Sequence, residues 1–175
     1  NGMTARGFCA SGFIDAVAAL LDAGLLKPSG RFSTPEARHG YALDAENPRT
    51  AIFASDIDLF QRAQASTSAA VSQLMVSAGI QCSDLDKLWI CGSFGQQLNI
   101  HSAFRVGLLP IIDVDRIRLL GNASLAGCER LLLATDGETQ LDNLITSARA
   151  VNFGGAIDYE SRFIDHLRLD YFHRH

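Results

Sequence analysis

A short apolar run leads directly into a glycine turn near the middle of this chain. Residues 88–91 (LWIC) are bounded by the charged stretch 84–87 on one side and by Gly92-Ser93-Phe94-Gly95 on the other. Such a run is typical of a buried strand in a parallel sheet. A glycine turn there exposes N–H groups and lacks the Cβ that would obstruct a ligand. The pattern predicts an α/β domain, and the turn itself fits either a ligand site or tight packing.

The order of strand, glycine turn and helix occurs a second time. Residues 117–120 are predicted as a strand, Gly121-Asn122 as the turn, and residues 123–134 as a helix that Asn122 caps. Another glycine-flanked segment, residues 7–12, opens a predicted helix over 11–23 with Ser11 as its N-cap. Each turn alone fits a simple helix cap, whereas the three together favour a cleft lined by helix N-termini.

The other predicted elements follow from apolar spacing and from glycine, proline and cap residues. A long amphipathic helix is expected from Ser55, its cap residue, to Gly79, preceded by a β-hairpin of residues 41–43 and 51–53. The remaining expectations are helices over 99–106, with Asn99 as the cap, 140–149 and 159–169, and a strand over 150–153. We therefore expect a mixed sheet with helices packed on it.

The middle of the long helix, residues 63–70, consists almost entirely of Ala, Ser, Thr and Gln. Small side chains allow another backbone to approach closely, so tight packing against a neighbouring helix is one interpretation. The same stretch could admit a flat ligand. Both interpretations stay open from the residues alone.

Composition narrows the class of protein. With 175 residues, 47% of them hydrophobic, the chain suits one domain. The net charge of -4 and the scattered basic residues argue against nucleic acid. No apolar stretch approaches the roughly 20 residues that cross a membrane, and no signal peptide is visible, so a cytoplasmic protein is expected. The start Asn1-Gly2-Met3 suggests a piece excised from a longer protein.

The sequence shows no recognisable set of catalytic or metal-binding residues. The four cysteines are far apart, which favours buried reduced thiols, and neither they nor the histidines show metal-ligand spacing. No G-x-S-x-G or phosphate-loop signature and no acid–base pair is present. We assign no catalytic residue and no metal ligand, and we do not expect a self-contained hydrolase.

Four segments, in order, resemble the reductive activators of corrinoid proteins, in the superfamily of sugar kinases, actin and heat-shock chaperones. They are GFCASGFIDAVAALLDAGLL, SDIDLFQRAQASTSAAV, LWICGSFGQQLNIHSAFRVGLLP and GNASLAGCERLLL. The resemblance covers nearly the whole chain. It implies an actin-like, ribonuclease H-like lobe over residues 1–175, at the C-terminal end of a protein that carries a [2Fe-2S] ferredoxin-like domain upstream.

The resemblance also implies a function, namely that ATP with Mg drives the return of an inactive Co(II) corrinoid protein to Co(I). Ser11, Gly12, Gln64, Gly92, Ser93 and Phe94 are the expected nucleotide contacts, and a corrinoid protein is the expected partner. Three positions depart from the family pattern: Ser93 replaces a glycine, Ala10 replaces a glycine, and Gln64 replaces a lysine. The alternative is a non-catalytic interaction or dimerisation module, such as a homodimer, that keeps the fold without binding nucleotide.

Overall fold

The computed structural model describes residues 6–35, 37, 40–155 and 158–173, with backbone only at residues 48, 93, 94 and 155. The start of the chain, His39 and His175 lie outside the described residues. No helix within the described part is long and apolar enough to cross a membrane.

The first helix, α1, spans Ala10–Asp22 and supplies much of the core. Its inner face buries Val17 and Leu20 at 0% and 2% exposure. The predicted N-cap was wrong. Cys9 holds the extended backbone of the cap position and its sulfur accepts the Gly12 N–H, whereas Ser11 already lies inside the helix. The helix ends as predicted before Gly24, whose φ of 68° suits glycine.

The predicted hairpin is confirmed in a shorter form. Strands β1 (Tyr41–Ala42) and β2 (Ala51–Ile52) pair antiparallel, with Tyr41 opposite Ile52. The chain then enters α2, which spans Ala54–Ala78. The predicted cap of α2, Ser55, was wrong. Phe53 takes the cap position two residues earlier, and the Asp56 carboxylate accepts the Phe53 N–H at 2.9 Å.

A second two-stranded sheet holds the glycine turn. Strands β3 (Leu88–Ile90) and β4 (Ile117–Leu119) are parallel, with Leu88 opposite Ile117. The predicted burial of this strand was wrong, since Trp89 is 63% exposed. An apolar run identifies a strand well, but it carries no information about what covers each face of the sheet.

The turn after β3 continues into a short helix, α3 (Ser93–Gln96), followed by α4 (Ile100–Arg105). As predicted, the Asn99 side chain caps α4 by accepting from the N–H groups of His101 and Ser102. After β4, helices α5 (Ala123–Leu133) and α6 (Gly137–Ser147) form a pair, and Asn122 caps α5 as predicted.

The strand predicted over 150–153 is absent, because the Asn152 side chain accepts the N–H of Gly154 at 3.0 Å and turns the chain locally. A 3₁₀ turn follows at Phe153–Gly155. The last helix, α7 (Tyr159–His166), packs along α2 and ends three residues earlier than expected. A tail then crosses back over the core, where the Leu169 N–H donates to the Pro28 carbonyl.

Candidate functional site

Helices α1 and α2 stand apart along part of their length and leave a cavity of about 590 Å³ between them. One stripe of each helix faces it, and residues from β3 and from the segments around α4 complete the lining. The lining residues are Ala10, Phe13 and Ile14 from α1; Asp56, Leu59, Phe60, Ala63, Gln64 and Thr67 from α2; and Ile90, Leu98, Leu108 and Leu109. Most of this surface is apolar.

The cavity has a buried end and an open side. Ile14, Leu98 and Leu109 are each less than a tenth exposed and close the inner end. Phe13 and Phe60 form a tilted aromatic pair with ring centroids 5.6 Å apart. The exposed Thr67 and the half-buried Asp56, both on α2, form part of the rim. A flat apolar ring can therefore enter the inner end while a polar group remains at the rim.

Three of the sequence motifs converge on this cavity, although most of the predicted contact residues do not line it. Each motif contributes a lining residue, namely Gln64, Ala10 and Ile90. Ala10 directly precedes Ser11, and Ile90 lies two residues before Gly92. Ser11 and Gly12 lie next to lining residues in the chain, Gly92 follows the nearest one by two positions, and none of the three is a lining residue itself. Ser93 and Phe94 belong to the backbone of α3, and their side chains lie outside the described residues.

The turn at Gly92 differs from its expected form. The Gly92 N–H donates to the Gly121 carbonyl at 2.8 Å, so the backbone of the next glycine turn already occupies it. An added Cβ at Gly92 would meet no atom within 4 Å, whereas its φ of 93° is strained for any other residue. The glycine is therefore required by the backbone conformation rather than by a close approach within the described residues.

Gln64 is almost completely buried, at 1% exposure. Its amide nitrogen donates to the Gly107 carbonyl at 2.6 Å and to the Ser68 hydroxyl at 3.0 Å. Its Oε1 atom is buried and has no hydrogen-bond partner among the described residues. One N–H thus ties α2 to the turn after α4, the other bonds to Ser68 within α2, and the side chain adds a buried acceptor beside the cavity wall.

A buried polar chain that the sequence analysis missed continues behind Gln64. The Ser68 hydroxyl lies 2.9 Å from Nδ1 of His166 at the end of α7, and both residues are fully buried. His166 in turn stacks on the ring of Tyr171 in the tail. The only available signal was a histidine within an amphipathic helix, which is too common to identify such a contact.

The cap of α1 carries a thiol whose pKa is lowered. The Cys9 sulfur lies 3.4 Å from the Ser11 hydroxyl and accepts the Gly12 N–H at 3.4 Å. The Ser11 hydroxyl, followed by the Gly12 N–H, lowers the pKa of Cys9. Burial instead raises the pKa of Cys82. The expected burial of the thiols was wrong for Cys9, Cys91 and Cys128, which are exposed, and all four cysteines are free.

Few charged side chains line the described part of the cavity, and candidate metal ligands do not cluster within the described residues. Asp56 is the one charged side chain among the described lining residues, so no lysine or arginine reaches the cavity there. Within the described part of the chain, no group of three or more His, Cys, Asp or Glu could hold a metal ion. The cavity therefore suits an uncharged, partly aromatic ligand better than a phosphate group.

The sequence matches the family described as the C-terminal domain of RACo, the ASKHA domain, over residues 1–173, and the chain belongs to that family. The actin-like α/β fold expected from the resemblance is confirmed. A solved structure of a reductive activator for corrinoid, iron-sulfur protein has a TM-score of 0.80 to this chain and is 25% identical, covering 94% of this chain and 28% of that one.

Two curated relatives are similar in sequence. The corrinoid activation enzyme RamQ of Eubacterium limosum is 32% identical over an alignment of 152 residues that covers 75% of this chain and 26% of that protein. The Co(II) methylated amine-specific corrinoid protein reductase of Methanosarcina barkeri is 28% identical over 150 residues, which is 86% of this chain and 26% of that protein. This chain thus spans about a quarter of the curated relatives' length.

Proposed function

We propose that this chain is the nucleoside-binding lobe of an ATP-dependent reductive activator of corrinoid proteins. The observation that carries the proposal is the cavity between α1 and α2, on which three sequence motifs converge. Its volume of about 590 Å³ is within the range of small-molecule sites. Membership in the ASKHA family and the names of the relatives, which refer to corrinoid proteins, support the same assignment.

The residues present fit one part of ATP and not the other. The aromatic pair of Phe13 and Phe60 and the aliphatic inner end suit the faces of a purine base. The buried Gln64 Oε1 supplies an acceptor that a base amine could satisfy after a local shift, which would relieve a cost of about 1–3 kcal/mol. No cation lines the described cavity, so the phosphates and Mg would be held by another part of the protein.

Several expected contacts remain predictions within this proposal. Ser11 and Gly12 adjoin the α1 side of the cavity, and Gly92, Ser93 and Phe94 adjoin its β3 side. They would contact the sugar or the base edge through backbone atoms. Gln64 would act through its carbonyl oxygen, since both of its N–H groups are already bonded.

ATP would perform conformational work in the whole protein. Closure of two lobes around the nucleotide would change the contact with a corrinoid protein partner, because a ligand biases a two-state element by its difference in affinity. Electron transfer would belong to a [2Fe-2S] domain elsewhere in the polypeptide. A cytoplasmic location is part of the same proposal.

The structure gives less support to the alternative of an interaction module built on the small residues of α2. Ala65, Ser68 and Ala69 are completely buried, and Ser68 bonds to His166 of α7 in the same chain. That face of α2 is therefore already covered within the chain. No observation favours a homodimer through it.

Calorimetric titration of the full-length polypeptide with adenosine, ADP and ATP tests the proposal. We expect saturable binding of all three compounds, with guanosine as the comparison nucleoside. Absence of heat and of a thermal shift at millimolar concentration of every adenine compound would refute it.

A matched pair of variants tests whether the cavity is the site. Ala63→Leu adds a side chain to the cavity wall, and Ser66→Leu adds the same group at an exposed position of α2 outside it. We expect Ala63→Leu to weaken binding at least tenfold and Ser66→Leu to leave it unchanged. Equal affinity of the two variants would remove the cavity from the proposal.

A further inference from the structure

The open rim of the cavity has one acidic group whose orientation is fixed. The Oδ2 atom of Asp56 accepts the Phe53 N–H at 2.9 Å, which anchors the carboxylate at the start of α2. The side chain is half-buried and lines the cavity. The Asp56 carboxylate can therefore accept further hydrogen bonds from a ligand bound at the rim, since the cap uses only part of its acceptor capacity.

The polarity of the cavity determines which part of a nucleoside reaches this carboxylate. The inner end is closed by the aliphatic side chains of Ile14, Leu98 and Leu109, which suit the base and offer no partner to sugar hydroxyls. The buried acceptor on the cavity wall, Gln64 Oε1, is the one assigned above to the base amine. The sugar must then stay near the exposed stripe of α2. A phosphate beside Asp56 would meet a like charge, whereas a ribose offers hydroxyl donors to an acceptor-only group.

We propose that Asp56 is the group that recognises ribose, accepting hydrogen bonds from the 2′- and 3′-hydroxyls of the bound nucleoside. This inference rests on the proposed function, since it assumes a nucleoside in the cavity. Acidic residues bind ribose hydroxyls in the same chemical manner in dinucleotide-binding folds. The cap and the ribose contact are compatible, because a carboxylate has about four acceptor sites and the Phe53 N–H uses one of them.

The inference predicts discrimination between ribose and deoxyribose. We expect the unmodified protein to bind adenosine about tenfold more tightly than 2′-deoxyadenosine or 3′-deoxyadenosine, equivalent to about 1.4 kcal/mol. Titration of the full-length polypeptide with the three nucleosides measures this difference directly and requires no variant. If adenosine binds and both deoxynucleosides match its affinity, the inference is wrong and the proposed function stands.

Variants connect the discrimination to Asp56. Asp56→Asn keeps an amide oxygen that can cap Phe53 and loses the charge and one acceptor oxygen, so we expect adenosine to bind about as weakly as the deoxynucleosides. Asp58→Asn is the control, because Asp58 is paired with Arg62 and is not a lining residue. It should retain the tenfold preference.

Each remaining outcome has a definite meaning. Retention of the full preference in Asp56→Asn would overturn the assignment to this residue. Failure of all three nucleosides to bind the unmodified protein would overturn the proposed function, and this inference with it. Thermal unfolding of Asp56→Asn identifies a folding defect, in which case the deoxynucleoside comparison on the unmodified protein decides.

Discussion

Ser68→Ala tests the buried polar chain that joins α2 to α7. The Ser68 hydroxyl is fully buried, with the Gln64 amide nitrogen 3.0 Å away and His166 Nδ1 at 2.9 Å. The substitution removes the hydroxyl partner of both groups in a site closed to water. At about 1–3 kcal/mol for each buried group that loses its partner, the cost for the two groups is about 2–6 kcal/mol.

One opposing effect is small. Alanine is a better helix former than serine by about 0.5 kcal/mol, which lowers the expected loss to about 1.5–5.5 kcal/mol. For a chain of this size, each kcal/mol corresponds to about 2–4 °C, so Tm should fall by about 3–22 °C. Thermal unfolding followed by circular dichroism measures the change.

The matched control is Ser72→Ala. Ser72 is also buried on α2, and its side chain makes no hydrogen bond within the described residues. We expect its substitution to change the stability by less than about 0.5 kcal/mol. If Ser68→Ala and Ser72→Ala unfold at the same temperature, the hydroxyl makes no net contribution and the argument from the buried chain fails.

Three further predictions concern backbone, thiol and ring. Gly79→Ala should lower the free energy of unfolding by about 1 kcal/mol, because Gly79 ends α2 with a φ of 68°. Gly127→Ala inside α5 should raise the free energy of unfolding by about 0.5–1 kcal/mol, because the added Cβ meets no atom within 4 Å. One denaturant titration of each variant measures both changes. Cys9 has a lowered pKa, so more thiolate is present at a given pH, and Ser11→Ala should slow its alkylation at pH 7.5, as read by peptide mass spectrometry. Trp89 is the only tryptophan in the sequence and is 63% exposed, so acrylamide should quench the fluorescence of the 175-residue chain efficiently. A blue-shifted emission that resists quenching would contradict the exposure of β3.

Local sequence signals predicted the helices well and their first residues less well. Asn99 and Asn122 cap helices as expected, because an amide oxygen next to free N–H groups is a strong local signal. Ser11 and Ser55 were chosen by the same rule and are wrong. In both places the chain enters the helix earlier, with the Cys9 sulfur and the Asp56 carboxylate satisfying the first N–H groups.

Properties that depend on residues distant in the chain were harder to predict from the sequence. The apolar run of β3 predicts a strand, while the exposure of Trp89 depends on which elements cover the sheet. The Gly92 turn looked open to a ligand, yet its N–H bonds to Gly121, 29 positions further on. The cavity has the same origin, because its lining comes from two helices, a strand and loops separated along the chain.

The small-residue stretch of α2 has two faces with different surroundings. At 3.6 residues per turn, neighbouring positions point in directions about 100° apart. Ala65 and Ala69 are therefore buried, on the face that packs along α7, while Ala63 lines the cavity on another face. Ala69→Leu should cost about 1–3 kcal/mol by overpacking a fully buried site, and Ala63→Leu should leave Tm unchanged and weaken only adenosine binding. Thermal unfolding and titration of both variants separate the two faces, and a stability loss shared equally by both would show that the stretch has a single, structural role.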